Sequence, residues 1–390
     1  MRFAAAFALL GLLAPQQSPV DPWRKARVRD VVPGAEAHSI HSYYVSTPES
    51  PDGRWVVFFA STTKEAYEGE VRVLERATGV ATTLASKVVV EDAHRSACQQ
   101  WVSNGKRVVY HDFRDGEWVV VGIDLDTRKE RVLAKGRQLG FGAPGGDVVP
   151  IYGPHGEPGS HRDLELLNVE TGEIRAVLTA SAVREKYPEW TSKQFGERPI
   201  SIFFPVLAPD GARVFFKLAT PLESTLDRRT AEFFRRSPSE RKGLLCYDLK
   251  GERLTFPQPH NWGHPAWHPD GRQIIEINHV LIDADTGATR RIPDLPKISG
   301  GPHPSVQPGG ALFATDYTPP LEDPKKGFWS VMVGDLKGGS YAVIQTFDLS
   351  GGAASWRRNH PHPVFSPDGR RLYFNAAEGR WSRLKVAEVD

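Results

Sequence analysis

The sequence predicts an all-β fold in which one four-stranded unit is repeated along the chain. Glycine and proline are frequent, at 36 and 31 of 390 residues, and the apolar segments between them are short. Many short strands joined by tight turns produce this composition. A turn ending in Asp-Gly or a close equivalent recurs before a short apolar strand, which indicates an internal repeat.

Six clear copies of the turn and one weaker copy divide the chain. The clear copies end at Gly53, Gly105, Gly211, Gly271, Gly310 and Gly369, and the weaker copy is 144–147. A second hairpin follows each copy, and a fourth strand follows every copy except the seventh, which ends at Asp390. Segment 26–32 precedes the first copy and is free to supply the missing strand.

This arrangement predicts a seven-bladed β-propeller closed by an N-terminal strand that completes the last blade. Two β-sandwiches are the alternative, but they would explain neither the recurring turn nor the missing strand. The polar segments 181–198 and 227–241 interrupt the repeat and are predicted to be helical or loop-like insertions over one face. Aspartates that precede the turn glycines are predicted to form turns, not to act in catalysis; they are Asp52, Asp210, Asp270 and Asp368.

The N-terminus has the features of a secretory signal. Arg2 is followed by an apolar run over 4–13 and then by a polar stretch, whereas a membrane-spanning helix needs about 20 apolar residues. We therefore expect residues 1–17 to be a signal peptide, 24–390 to be the propeller, and the protein to be periplasmic or secreted. The alternative is an apolar, disordered N-terminus on a cytosolic protein.

Charge and cysteine content narrow the function classes further. The formal net charge is +2 and no basic run occurs, which argues against binding to nucleic acid or to a membrane surface. Export would permit a disulfide, but the two cysteines, Cys98 and Cys246, are interpreted as small core residues.

Histidines recur at one position of the repeat. The residue five before the turn proline, called here the channel position, is His264, His303 and His362 in the fifth to seventh copies. This position is predicted to lie on the innermost strand, so the three side chains should converge on the central channel. His360 should lie on the same face as His362, because residues i and i+2 of a strand point the same way.

Three neutral imidazoles beside an open position are typical of a catalytic divalent-metal site. Zinc and manganese are both compatible with the pattern, and additional oxygen ligands would favour manganese. The alternative is that the imidazoles only fill the channel, as Phe204 does in the fourth copy.

Other side chains near the channel mouth are candidates for substrate binding. Arg357 and Arg358 could hold a carboxylate through bidentate hydrogen bonds, or could be a solvated pair in a loop. The remaining candidates are His94, Gln99 and His41, with Gln100 and His38 beside them. The tryptophans near channel strands are predicted to pack in the core, with sugar stacking as the alternative; they are Trp101, Trp262, Trp267 and Trp356.

The His-x-His-Pro segment at 360–363, with single histidines one and two blades earlier, resembles the oligogalacturonate lyase family. That family consists of seven-bladed propellers whose repeats are related to those of TolB. The resemblance implies that His303, His360 and His362 are metal ligands, that Mn²⁺ is the metal, and that His264 is the catalytic base. The family has glutamine as a fourth ligand where this chain has Arg357. Gln99, Gln100, Asn359 or water would then complete the shell, or the substrate differs.

The function predicted on this basis is metal-dependent β-elimination on uronic-acid oligosaccharides, with an acidic oligosaccharide as the partner and neither nucleic acid nor membrane insertion involved. The alternative function is a non-catalytic, TolB-like binding propeller of the periplasm. A propeller-gated serine peptidase is disfavoured because the chain has no Gly-x-Ser-x-Gly segment.

Overall fold

A computed structural model describes residues 18–154, 163–227, 230–236, 238–259, 263–300, 302–319, 327–348 and 350–390. The predicted signal peptide and Trp262 lie outside the described residues. Within the described chain, seven sheets of four antiparallel strands form the blades of a propeller. The predicted all-β, seven-bladed fold is confirmed.

Each blade runs from a short, buried innermost strand to a more exposed outermost strand. In chain order, the first four blades contain β2 (His38–Ile40), β3 (Trp55–Ser61), β4 (Glu68–Glu75), β5 (Ala81–Val89); β6 (Gln100–Val102), β7 (Arg107–Arg114), β8 (Glu117–Asp124), β9 (Glu130–Lys135); β10 (Gln138–Leu139), β11 (Val148–Tyr152), β12 (Leu164–Asn168), β13 (Ile174–Leu178); and β14 (Ser201–Leu207), β15 (Arg213–Pro221), β16 (Ser239–Asp248), β17 (Arg253–Gln258). The last three contain β18 (Ala266–Trp267), β19 (Gln273–Glu276), β20 (Val280–Asp283), β21 (Thr289–Arg291); β22 (Ser305–Val306), β23 (Leu312–Tyr317), β24 (Phe328–Asp335), β25 (Tyr341–Asp348); and β26 (Val364–Phe365), β27 (Arg371–Glu378), β28 (Trp381–Glu388), β1 (Arg27–Asp30).

The N-terminal strand closes the ring as predicted. β1 pairs antiparallel with β28, with Arg27 opposite Glu388 and Asp30 opposite Lys385. Three ion pairs cross this junction: Arg27 with Asp390 at 3.1 Å, Arg29 with Glu388 at 3.0 Å and Lys385 with Asp30 at 2.6 Å. β1 thereby covers an edge of the last blade that would otherwise expose unpaired backbone groups.

The recurring turn has the same conformation in five of its six clear copies, whereas the copy at Ser103–Gly105 is a 3-10 helix. The turn glycines Gly53, Gly211, Gly271, Gly310 and Gly369 all have φ between 64° and 72°, a region that favours glycine. The preceding aspartates accept hydrogen bonds from the backbone N–H two residues later, at 3.0 Å for Asp52 and 2.8 Å for Asp270. Their predicted role in turn formation is confirmed.

Two insertions carry the helices of the described chain. Helices α1 (Ala180–Lys186) and α2 (Pro188–Phe195) follow β13 and pack against the outermost strand of blade 4, where Trp190 lies 4.5 Å from Phe256 between ring centroids. Helix α3 (Ala231–Arg236) lies between β15 and β16. The predicted second insertion, 227–241, extends too far, because 239–241 belong to β16.

The segment around α3 crosses from blade 4 to two other blades and is called the strap, comprising residues 222–227, 230–236 and 238. Phe233 is buried against Trp118 of blade 2. The Arg236 guanidinium lies 5.0 Å from the ring centre of Trp356, in the loop before β26. The strap therefore lies across the end of the channel where the innermost strands begin.

Aromatic side chains divide the central channel. Tyr43 stacks on Phe141 at 5.6 Å and contacts Phe204 at 5.5 Å between ring centroids, and the Tyr44 hydroxyl donates to the carbonyl of Pro265 at 3.1 Å. The channel therefore has two separate mouths, here named the strand-start mouth and the turn mouth. No helix of the described chain is long and apolar enough to cross a membrane.

Candidate metal centre

The predicted histidines meet at the strand-start mouth, but they precede the innermost strands instead of lying on them. β18, β22 and β26 begin two residues after His264, His303 and His362. Prolines follow all three histidines, and a proline has no N–H to donate to a strand ladder. The imidazoles therefore project from irregular segments held by side chains.

The prediction that His360 and His362 lie on one face of an extended strand is wrong, although their ring centroids are 5.9 Å apart. His362 has φ of 49°, so the segment is not an extended strand. The His362 N–H donates to Asp316 Oδ2 at 3.2 Å, and its carbonyl lies 2.7 Å from Nε2 of His41. These contacts with two other blades fix the pair in place of strand alternation.

Four histidines form the cluster. One ring nitrogen from each of His94, His303, His360 and His362 lies within 4.8 Å of all the others. His94 comes from the loop before β6 and completes the set from the opposite side of the mouth. His264 is outside the four, and its ring lies 4.1 Å from that of His303 between centroids.

Asp316, on β23, positions two members of the cluster. Its Oδ1 accepts from the backbone N–H of His303 at 2.6 Å, and both carboxylate oxygens lie 3.0 Å from His303 Nδ1. This contact fixes the proton on Nδ1 and leaves Nε2 as the lone-pair nitrogen. A carboxylate behind a ligating histidine is the usual support of a protein metal site.

The ring nitrogens fit a divalent cation. His303 Nε2, His360 Nδ1 and both nitrogens of His362 are buried without a hydrogen-bond partner, although buried polar atoms normally have one. Burial lowers the pKa of His360 to about 4 and the pKa values of His94 and His362 well below the usual 6.5. The rings are therefore neutral at pH 7, which is the form that binds metal.

Positive side chains line the blade 4 side of the site. Lys217 on β15 is only 3% exposed, and its pKa is well below normal because of burial and then the charge of Arg241. Burial, followed by the Arg357 guanidinium, lowers the pKa of Arg241 to about 10. Adjacent buried cations repel one another, so an anion between them would be stabilised.

His264 is supported through its backbone. Burial raises the pKa of Glu276 to about 7, and the nearby N–H groups of Ile277 and His264 act in the opposite direction. Gly263 leaves room for this carboxylate, because a Cβ there would lie 1.8 Å from Glu276 Oε2. His264 itself keeps a buried, unpartnered Nδ1.

The predicted substrate-binding residues have several different surroundings. Arg357 Nε donates to Asp92 Oδ2 at 2.6 Å, and Arg357 pairs with Glu91 at 3.6 Å. Arg358 is exposed, and its carbonyl lies 3.2 Å from Nδ1 of His94. His94, predicted as a substrate-binding residue, thus lies within the histidine cluster.

Gln99, Gln100 and His41 mainly form hydrogen bonds with backbone groups. Gln99 Nε2 donates to the Ile40 carbonyl at 2.9 Å, while its Oε1 has no partner. Gln100 bridges blades 2 and 3 through Gly140 and Gly142. The contact of His41 with the His362 carbonyl makes it a support of the cluster.

Most of the described tryptophans pack as predicted. Trp101 and Trp267 are buried, and their Nε1 atoms donate to the carbonyls of Pro48 and Val206. Trp356 is 52% exposed beside the strap. Trp329, which the sequence did not single out, lies 4.8 Å from His360 between ring centroids.

Sequence reasoning missed Asp316 and Lys217, although the repeat contains a signal for both. Asp316 lies thirteen residues after the channel position of its blade, which is 303, and Lys217 lies thirteen residues after 204. Asn375 is at the same distance from 362. Asn375 also holds the site, since its Oδ1 accepts from the His41 N–H at 3.1 Å. Polar residues within apolar strands at one repeat position were the available clue.

A separate cavity of about 1000 Å³ opens at the turn mouth. Its lining is largely apolar and includes Val206, Trp267, Val306, Val364 and Phe365. Tyr44 lines this cavity and also lies 5.2 Å from His303 between ring centroids. The cavity is thus on the other side of the aromatic plug from the histidine cluster, where the polar and titratable groups are.

Comparisons with known proteins support the fold. No family model matches the sequence, and no curated protein matches it. Among solved structures, an oligogalacturonate lyase in complex with manganese is 17% identical, with a TM-score of 0.64 and coverage of 94% of this chain and 93% of that chain. An oligogalacturonate lyase from Vibrio parahaemolyticus is 16% identical, with a TM-score of 0.60 and coverage of 94% of both chains.

A puromycin hydrolase also matches, at 14% identity and a TM-score of 0.51, over 95% of this chain and 54% of that chain. At these identities, the matches establish a shared fold. The predicted resemblance to oligogalacturonate lyases is confirmed at the level of the seven-bladed propeller.

Proposed function

We propose that this protein is a metal-dependent lyase that cleaves uronic-acid oligosaccharides by β-elimination. The observation that carries the proposal is a cluster of four neutral imidazoles with a fifth, His264, outside it, whose ring centroid lies 4.1 Å from that of His303. A metal centre next to an uncoordinated base is what proton abstraction beside a carboxylate requires. The solved structures named as oligogalacturonate lyases support the same reading.

The charges around the cluster favour an acidic substrate. Lys217 and Arg241 lie on the blade 4 side, where burial, followed by the charge of Arg241, lowers the pKa of Lys217. The charge of Arg357 is offset by Asp92 and Glu91, and we add Lys217 and Arg241 as candidate partners for a uronate carboxylate. The binding of a carboxylate by Arg357 and Arg358 stays a prediction, with Lys217 and Arg241 as the further candidates that we propose.

The proposed elimination uses a divalent cation and His264. A divalent cation in the cluster, with Mn²⁺ as the metal predicted from the resemblance, would neutralise the uronate carboxylate and make the neighbouring C5 proton more acidic. Neutral His264 accepts that proton, the C5 electron pair forms the C4–C5 double bond, and the C4–oxygen bond breaks. The leaving oxygen takes a proton from water, and the hydroxide that remains takes the proton from His264. The products are an unsaturated uronide and a shortened oligosaccharide, and His264 is neutral again.

The test is incubation of purified protein with uronic-acid oligomers and a divalent cation, followed by absorbance of the conjugated product. His264→Asn should lower the rate by at least about 100-fold, the usual contribution of a general base. His268→Asn is the matched control, because His268 lies in an outer turn with Asp270. Undiminished turnover by His264→Asn in the presence of chelator would refute the proposal.

The cavity at the turn mouth supports a second candidate function, a binding propeller without catalysis. Its volume of about 1000 Å³ is sufficient for a small ligand or peptide segment. Absence of turnover on every uronide, with a melting temperature unaffected by chelation, would favour this function. The predicted signal peptide at 1–17 adds the proposal that the protein acts outside the cytoplasm.

A further inference from the structure

We infer that His94 is the fourth metal ligand, which gives an all-imidazole centre that prefers a borderline transition metal such as Zn²⁺, Co²⁺ or Fe²⁺ over Mn²⁺. The inference rests on the metal site of the proposed function. It concerns metal binding, which is measured without substrate, so its failure is distinguishable from failure of the lyase proposal.

His94 lies as close to the cluster as the predicted ligands do. Its ring centroid is 4.6 Å from that of His362 and 4.7 Å from that of His360, whereas His303 lies 4.4 Å from His362. Its side chain is 7% exposed. A histidine merely lining a substrate cleft would not need a ring nitrogen within 4.8 Å of three others.

Neighbouring residues fix the orientation of the His94 ring, as they do for histidines that bind a metal. Its Nδ1 lies 3.2 Å from the Arg358 carbonyl, which can only accept, so Nδ1 carries the proton and Nε2 is the lone-pair nitrogen. The His94 N–H donates to Asp92 Oδ1 at 3.0 Å. His303 has the same arrangement, with Asp316 behind Nδ1.

The cation at position 357 is compatible with this centre because it is neutralised by the residue that positions His94. Asp92 is fully buried; one carboxylate oxygen accepts from the His94 N–H and the other from Arg357 Nε at 2.6 Å. Ser355 ties the two loops together by accepting from the Ala93 N–H at 3.0 Å. One carboxylate thus holds Arg357 and presents His94.

The donor set decides the class of metal. No carboxylate or cysteine of the described chain joins the four histidines in the group, and Asp316 is occupied by His303 and by the His362 N–H. Imidazole nitrogens suit zinc, iron, nickel and copper, whereas manganese prefers oxygen donors. The rival fourth donor is Gln99, whose Oε1 is buried without a partner.

X-ray absorption spectroscopy of the Co²⁺-loaded wild-type protein counts the imidazole ligands directly. Four imidazoles are expected. Three imidazoles with an additional oxygen donor would overturn the inference, and this result needs no variant to fold.

Titration of Co²⁺ and Mn²⁺ into His94→Gln and Gln99→Ala provides the second arm. His94→Gln should weaken Co²⁺ binding by at least about tenfold, which is the loss expected even for a residue that only supports a ligand. The same variant should weaken Mn²⁺ binding much less, because glutamine supplies an oxygen donor. Gln99→Ala should leave both dissociation constants within about twofold of wild type. The reverse pattern, with Gln99→Ala impaired and His94→Gln unimpaired, would contradict the inference; circular dichroism checks that both variants are folded.

Discussion

At the scale of single residues, the site depends on small side chains that leave room for buried carboxylates. Gly263 is the clearest case, since Glu276 occupies the space where a Cβ would lie. Glu276 in turn holds the backbone of His264. Gly263, which has no side chain, thus influences the position of His264, the proposed base.

Gly263→Ala should therefore displace Glu276 and disturb His264. Overpacking of this kind costs about 1–3 kcal/mol of the free energy of unfolding, and we expect turnover of oligouronides to fall more than the stability does. Gly145→Ala is the matched control, because a Cβ there meets nothing within 4 Å. A stability and a rate equal to those of the control would show that Glu276 does not position His264.

Residues such as Asp316 show why the site could be predicted only in part. The repeat identified His264, His303 and His362 because histidine recurs at a fixed distance from a recognisable turn, and His360 was added as the neighbour two residues before His362. Asp316 and Lys217 lie inside otherwise apolar strands, where sequence alone does not tell a buried functional charge from an edge residue. His94 lies in the loop before β6, away from the channel position of its copy, so only the three-dimensional structure places it in the cluster.

At the scale of elements, the strap is the feature with the clearest consequence for access to the site. It is anchored at one point by Phe233 against Trp118 and at another by Arg236 over Trp356. These anchors lie on blades 2 and 7, which also supply His94 and the His360–His362 pair. If the proposed function holds, an acidic oligosaccharide would reach the histidine cluster by passing beneath the strap or by displacing it.

Phe233→Ala should release the strap without unfolding the propeller. We expect faster proteolysis within the strap and little change in the melting temperature, because the strap's contact cluster is separate from the blade cores. The KM for long oligouronides should change more than that for short ones. The check is limited proteolysis with mass spectrometry, beside kinetics on oligomers of defined length, and Phe256→Ala serves as a control in the outer wall of blade 4.

A melting temperature lowered as much by Phe233→Ala as by the Phe256→Ala control would mean that the strap is part of the folded core. The same comparison of melting temperatures distinguishes the roles of the two insertions. The helices α1 and α2 pack on blade 4 and are expected to stabilise the fold, whereas the strap contacts the mouth.

At the scale of the whole molecule, the pKa values of the histidines set the pH dependence of stability. Burial is the first cause of a lowered pKa in nine of the ten described histidines: His38, His41, His94, His111, His264, His279, His303, His360 and His362. Below the unfolded value of about 6.5, the unfolded chain binds protons that the folded chain does not. Stability should therefore fall as the pH falls from about 6.5 towards about 4.

Buried carboxyls with raised pKa values act in the opposite direction but are fewer; they are Glu91, Glu276 and Asp316. The metal-free protein should thus be less stable at pH 5 than at pH 7.5, and a bound divalent cation should steepen the dependence, because protons compete with it for the imidazoles. Urea unfolding at both pH values measures the difference. Equal or greater stability at pH 5 would mean that these histidines are not neutral in the folded protein.

The pairing of β1 with β28 has a consequence for the order of events during synthesis. Arg29 and Glu388 are 359 residues apart along the chain, so β1 leaves the ribosome first and its partner leaves last. Six blades can assemble while the ring is still open, with an unpaired edge at each end that is prone to associate with other chains. The slowest stage of folding should then be the joining of the two termini, and a chain interrupted just before β28 should form blades without a finished ring.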